Sequence, residues 1–140
     1  MLNKIYKISL VIIIAFVSLS LLEVIILRFV PVRRTPIMYI RYAEAKILGK
    51  QYHIKQKWVP LEKSSVNFTN VLLEREDSTF YTHHGFNFDE IKRNYKENKR
   101  VGYLAGGGST ISQQTAKNVF CTFSRTYTRK AFEAYFTVLI

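Results

Sequence analysis

Cysteine is almost absent from this chain. Cys121 is the only one among 140 residues, which excludes an intramolecular disulfide and a thiolate metal cage. It follows the apolar pair Val119-Phe120 and reads as a small packed hydrophobe. The three histidines are scattered, and no metal-ligating cluster is visible. Acidic side chains are scarce, ten against 21 lysines and arginines, giving a formal net charge of +11. No repeat or low-complexity tract is present. The glycine run ending at Gly108 lacks the Gly-Lys-Ser/Thr ending of a Walker loop.

What is present suits one domain plus an anchor. Hydrophobic residues make up 48% of the chain, and many of them fall in the first 30 positions. The remaining stretch of roughly 110 residues is enough for a modest core but small for a catalytic domain. Of the charged residues, only Lys4, Lys7 and Glu23 precede Arg28, so residues 28–140 hold 19 basic and nine acidic side chains. That surplus favours phosphates, acidic head groups or nucleic acid, and charge alone does not choose among them.

Residues 8–30 read ISLVIIIAFVSLSLLEVIILRFV. Ile8 to Leu27 is long enough to span a hydrocarbon core as a helix. Lys4 and Lys7 before it place the N-terminus in the cytoplasm by the positive-inside rule. The run is long for a cleaved signal peptide and no small-x-small site follows, so an uncleaved signal anchor is expected. Glu23 lies four residues from the outer end, within reach of the interface. The rest of the chain would then stand outside the cytoplasmic membrane, which argues against nucleic acid and for a membrane-borne phosphate.

Three segments follow: residues 1–30 as anchor, 31–60 as connector and 61–140 as the start of a helical domain. Pro31 and Pro36 bracket an extended stretch in which Arg33 and Arg34 sit at head-group level. A short helix is expected over residues 37–49, with Gly49 as its stop. The next helix starts near Asn67 or Thr69 and runs towards Phe80. On it Leu72, Glu76 and Phe80 share a face. A carboxylate on such a face either has a raised pKa or lines a cleft, and both suit a general acid or base; an exposed glutamate at the helix edge is the plain alternative. Gly85 fits a left-handed cap after His83-His84.

Asn87 caps the helix that follows, with Glu90 as reciprocal partner, an apolar stripe of Phe88, Ile91 and Tyr95, and a basic solvated face. Gly102 to Gly108 form a loop opening onto a helix capped by Ser109 and running from Thr110 to about Phe120, where backbone N–H groups favour an anion. Gln113 and Lys117 share a face of that helix; Lys117 is either a phosphate ligand or a surface lysine. Ser124 caps the last helix, on which Arg129 and Lys130 are spaced to pair with Glu133. The chain stops at Ile140 inside an apolar helical run, and the natural domain is expected to continue.

Glu76-Asp77-Ser78-Thr79-Phe80-Tyr81-Thr82-His83-His84-Gly85 resembles the first signature of the peptidoglycan glycosyltransferases (glycosyltransferase family 51). Gly107-Gly108-Ser109-Thr110-Ile111-Ser112-Gln113-Gln114, with Lys117-Asn118 behind it, resembles the second. Arg125 followed by Arg129-Lys130-Ala131-Phe132-Glu133 resembles the third. Order and separation match as well, which makes the signal far more specific than one motif alone. The anchor, Trp58-Val59-Pro60-Leu61 and the motif flanks look most like the monofunctional biosynthetic transglycosylases. Thr115 stands where the family usually has an aliphatic residue. The later signatures have no counterpart here, so the resemblance covers the first half to two-thirds of the family's catalytic domain.

The resemblance implies a mostly α architecture: an N-terminal transmembrane helix followed by part of a lysozyme-like glycosyltransferase domain. It implies polymerisation of lipid II into glycan strands with release of undecaprenyl pyrophosphate, by an inverting transfer that needs no covalent glycosyl-enzyme. Glu76 maps onto the principal carboxylate, the base for the acceptor hydroxyl, and Glu133 onto the second catalytic carboxylate, which helps position substrate or metal. Asp77 would orient Glu76 or bind substrate. Lys117, Arg125, Arg129 and Lys130 would hold the pyrophosphate; Ser109, Thr110, Gln113 and Gln114 would bind phosphate or sugar polar groups. His83 is expected to be structural. No cofactor follows from the residues; a divalent cation such as Mg2+ is a candidate for neutralising the pyrophosphate. The implied partners are lipid II, the lipid-linked glycan chain, the cytoplasmic membrane and other cell-wall synthesis proteins, with no nucleic acid. Two alternatives remain: a truncated, inactive relative, and a membrane-tethered basic module that binds anionic lipid without Glu76 or Glu133. A lysozyme-type hydrolase is weaker, having no need of a pyrophosphate-binding basic cluster.

Overall fold

The computed structural model describes residues 2–103, 107–124 and 126–140. Among these there are six α-helices and no strand, the mostly α architecture expected. The chain divides into two units, residues 1–32 and essentially the remainder from Arg33.

The first unit is helix α1, Leu2–Phe29. Asn3–Phe29 has a mean hydropathy of 3.0, long and apolar enough to cross a membrane. Its apolar side chains are exposed almost throughout, as a lipid-facing surface would be. Ser20 returns its hydroxyl to the carbonyl of Val17 at 3.0 Å, which spares that group an unpaired state in an apolar surround.

The second unit holds α2 (Pro36–Ile47), α3 (Val66–Asp77), α4 (Phe88–Val101), α5 (Ile111–Phe120) and α6 (Tyr127–Leu139), with a short 3₁₀ turn at Leu61–Lys63. Pro36 opens α2 at its first position, where the missing N–H costs nothing, and Thr35 caps it. Gly49 follows with φ +63°, so the expected stop stands. Helix α5 packs against α2 and α3 and organises the unit. Its Ala116 is fully buried, and Cys121 and Phe136 are nearly so. Around them lie buried polar side chains, Asp77, Thr110, Gln113, Glu133 and Thr137. Such groups are tolerated only when hydrogen-bonded, and each of these is.

Four local expectations need correction. Helix α3 ends at Asp77, and Phe80 lies in the turns beyond it, its N–H on the Asp77 carbonyl. Leu72, Glu76 and Phe80 therefore do not share a helical face, and Gly85 closes the turn region rather than the helix. The cap of α5 is Thr110, not Ser109. The cap of α6 is Thr126, not Ser124. In both cases a neighbouring hydroxyl takes the place. The Phe88 and Tyr95 side chains of α4 are exposed, so its stripe is not core. Asn87 does cap α4, accepting from the N–H of Glu90 at 2.8 Å; the return bond joins the Asn87 amide to the Glu90 carboxylate.

Candidate active site

The first two signature segments are stitched together by hydrogen bonds across more than 20 residues of sequence. Asp77 ends α3 with its side chain almost wholly buried. Its carboxylate accepts from His83 Nε2 at 2.8 and 3.0 Å and from the backbone N–H of Ile111 at 3.0 Å. Ile111 is the first residue of α5, where an N–H has no partner inside the helix and a negative charge meets the positive end of the dipole. His83 Nδ1 is buried and has no hydrogen-bond partner among the described residues. A proton on Nε2 satisfies the carboxylate.

Thr110 adds a second stitch. Its hydroxyl donates to the carbonyl of Gly85 at 2.6 Å and accepts from Gln113 N–H at 3.1 Å. The Gln113 side chain returns to Thr110 N–H at 3.1 Å, completing a capping box. Two glycines make the approach feasible. Gly85 has φ +83°, and a Cβ there would stand 3.1 Å from Thr137 Cγ2. At Gly108 a Cβ would meet the Ile91 backbone at 3.0 Å.

Glu76, the residue before Asp77, is exposed at the end of α3. One of its oxygens, Oε2, accepts from Gln114 Nε2 at 2.9 Å. Gln114 lies one helical turn past Ile111, so two consecutive α3 residues grip two successive turns of α5.

Lys117 comes one turn further along α5. It is half-buried and forms no ion pair among the described residues. It lines a cleft of about 280 Å³ with Asn118, Ile37, Phe123 and Arg129. Arg129 and Lys130 both bind the buried carboxylate of Glu133, Arg129 through Oε2 and Lys130 through Oε1. Both oxygens of Glu133 are thereby committed, and the pair of cations is fixed on α6. Lys130 remains about half exposed. Cys121, at the C-terminal end of α5, has its thiol pKa pushed up, first by burial and then by the Glu133 charge, with Arg129 acting in the opposite sense.

The structure therefore brings Glu76 and Gln114 together, joins Asp77 to the start of α5, and sets Lys117 and Arg129 in one cleft. Asp77, Thr110 and Gln113 are buried and engaged by other parts of the chain; Ser109 is exposed. Arg125 lies outside the described residues, as does part of the Gly102 to Gly108 loop. Ile37 and Phe123 were not anticipated as cleft residues. Arg41 stands 4.4 Å over the Phe123 ring, tying α2 to the segment after α5 by a cation–π contact. Nothing in the local sequence of α2 marks this, since only its packing on α5 brings it there. Among the described residues no group of three or more His, Cys, Asp and Glu side chains could hold a metal ion.

A transglycosylase family model matches residues 44–140. A biosynthetic peptidoglycan transglycosylase of Caulobacter vibrioides is 46% identical over 117 residues, covering 84% of this chain and 48% of that protein. One from Bdellovibrio bacteriovorus is 46% identical over 126 residues, 89% of this chain and 49% of that protein. One from Bacteroides thetaiotaomicron is 41% identical over 138 residues, 99% of this chain and 55% of that protein. The chain spans about half the length of these curated relatives. No solved structure matches it.

Proposed function

Because the chain belongs to the transglycosylase family, we propose that it carries the base and leaving-group side of a peptidoglycan glycosyltransferase that polymerises lipid II. The observation that carries this reading is the layout of α5. Gln114 rests on Glu76, and Lys117, three residues later, lines the cationic cleft. Residues three apart on a helix are neighbours, so the glutamine that meets the carboxylate and the lysine that lines the cleft stand one turn apart on α5. An inverting glycosyl transfer needs those two functions and little else.

In this reading Glu76 takes the proton of the acceptor sugar hydroxyl as its oxygen bonds to the anomeric carbon of the donor. The bond from that carbon to the lipid pyrophosphate breaks, and the departing charge is met by Lys117 and Arg129. Lys130, held on Glu133 beside Arg129, belongs to the same basic group, and Arg125 is assigned to it from the third motif alone. Glu133 acts through its cations: it holds Arg129 at the cleft wall rather than touching substrate. Asp77, Thr110 and Gln113 fix the frame, and Ser109, exposed before the α5 cap, is free to meet polar groups of the substrate. No step is assigned to a divalent cation.

Helix α1 supports a membrane anchor that keeps the cleft beside a lipid-borne substrate. Its flanking Lys4 and Lys7 support a single pass with a cytoplasmic N-terminus and the helical domain on the outer side. Lipid II, the growing lipid-linked strand and other cell-wall synthesis proteins are the partners this placement suits.

The test is strand synthesis from lipid II by the full-length protein and its Glu76→Gln variant, alongside lipid II binding. General base catalysis contributes about 10²–10⁴-fold. Turnover should fall by at least the lower figure while binding persists. Near-normal turnover would remove Glu76 as the base and favour the anionic-lipid-binding reading.

A further inference from the structure

We propose that a hollow at the C-terminal end of α2 binds the phosphate head group of an anionic membrane lipid. The inference stands independently of the base role given to Glu76. The hollow measures about 420 Å³ and is lined by Tyr42, Lys46, Lys50, Gln51, Tyr52 and His53. None of the six is acidic, and each of them can donate a hydrogen bond. Lys46 and Lys50 form no ion pair among the described residues. The nearest carboxylate in the chain, Glu44, is committed to Arg41 at 3.3 Å.

The backbone brings these groups together. Tyr42 and Lys46 lie four apart and share a face of α2. Gly49 then takes a left-handed conformation, φ +63°. Its N–H reaches the Lys46 carbonyl at 3.2 Å, and the N–H of Lys50 reaches the Ala45 carbonyl at 2.8 Å. This paired closure is the glycine stop that turns the chain away from the helix axis, and residues 50–53 come to line one hollow with Tyr42 and Lys46. It also occupies carbonyls at the helix end, the groups that would otherwise repel an anion.

An anion with several acceptor oxygens suits such a set of donors. The surroundings favour one attached to a bilayer over one in solution. Every lining residue is exposed, so the hollow holds a group that stays wet and does not enclose a small molecule. Ile47 and Leu48, between Lys46 and Lys50 in the chain, are exposed apolar side chains. Tyr42 and Tyr52 add rings with polar tips, the residue type that gathers at the membrane–water interface. Apolar groups for the acyl boundary, tyrosines for the interface and lysines for the phosphate together compose a surface that rests on anionic lipid. The chain carries its own tie to a bilayer: α1, long and apolar enough to cross one, is joined to α2 by residues 30–35. Lys46 and Lys50 are not among the residues that line the cleft of Lys117 and Arg129.

The test titrates the full-length protein in a neutral detergent with phosphatidylglycerol, and separately with phosphatidylcholine of the same acyl chains. Bound lipids are counted by native mass spectrometry, and glycerol phosphate serves as a soluble competitor. Phosphatidylglycerol should fill one site at least about tenfold more tightly than phosphatidylcholine, the lower end for a charge-assisted contact. The double change Lys46→Gln, Lys50→Gln should weaken it about thirtyfold, from about fivefold for each lysine beside an anionic head group. Lys46→Arg with Lys50→Arg keeps both charges and should restore binding, which separates lost recognition from lost folding. Lys96→Gln with Lys99→Gln removes the same charge from α4 and should cost less than about twofold. Lys117→Ala should leave phosphatidylglycerol binding within about twofold, because that cleft is a different place. Equal losses in the α2 and α4 double variants would overturn the proposal in favour of diffuse charge. Equal binding of the two lipids, or no saturable site, would overturn it outright. Displacement by glycerol phosphate at matching concentration would make the ligand a free phosphate and not a lipid. A large loss in Lys117→Ala would move the lipid to the cleft and away from α2. None of these results touches the assignment of Glu76, which strand synthesis tests separately.

Discussion

The rings of Phe120 and Phe136 lie 4.2 Å apart and within 2° of parallel. One closes α5 and the other belongs to α6, so the stack joins the helix that carries Lys117 to the helix that carries Arg129. Phe136 is among the few apolar side chains that are nearly fully buried. Truncating such a residue loses both transfer energy and packing, about 3–5 kcal/mol for Phe→Ala. Phe136→Ala should therefore lower the thermal unfolding midpoint of the full-length protein markedly, and Phe136→Leu much less. A midpoint unchanged by the Ala variant would mean that the two helices are held apart from this contact.

Lys117, which has no ion pair among the described residues, leads to a second expectation. Lys117→Ala should weaken productive use of lipid II about ten- to a hundredfold, the equivalent of roughly 1.5–3 kcal/mol for a charge-assisted contact. Lys96→Ala, on the exposed side of α4, should have little effect. Comparable losses at the two sites, measured by strand synthesis over a range of lipid II concentrations, would show that only diffuse positive charge matters.

Cys121 provides a check on the interior. Burial and the neighbouring Glu133 carboxylate raise its thiol pKa, and the thiolate is the reactive form. Maleimide labelling of the folded protein at neutral pH should be far slower than labelling after denaturation. The shift also carries a sign for stability. A folded-state pKa raised above the unfolded value gives stability that is present below the unfolded thiol pKa, about 8.5. That contribution is lost as pH rises through the folded value. Rapid labelling without unfolding would show that the end of α5 opens readily.

Much of the framework can be read from the residues. The short helix expected over residues 37–49, the Asn87 cap, the Gly49 stop and the pairing of Arg129 and Lys130 with Glu133 all follow from local rules, because each partner lies within four positions. What escaped is non-local. Ser109 and Thr110 are both good caps, and the choice was made by the Gly85 carbonyl, which takes the Thr110 hydroxyl. Helix α3 stops three residues before Phe80 because Asp77 turns inward to His83 and Ile111. Nothing in the spacing of Leu72, Glu76 and Phe80 announces that event. Motifs identify the candidate site residues; their division into those facing a cleft and those buried beneath it depends on the third dimension. Gln113 and Gln114 are identical side chains, one sealed in a cap and the other resting on Glu76.

Gly85 and Gly108 are needed for opposite reasons, and a mirror-image residue separates them. At Gly85 the backbone occupies the half of conformational space that left-handed amino acids avoid, and the Thr137 contact adds crowding on the side where an L-methyl would point. A D-alanine there would match the backbone and turn its methyl away from Thr137. At Gly108 the backbone is not in that region, and the obstacle is the fixed main chain of Ile91. The first glycine is thus a question of handedness, and the second is a question of thickness: it marks where one stretch of chain slides against another with only a hydrogen between them.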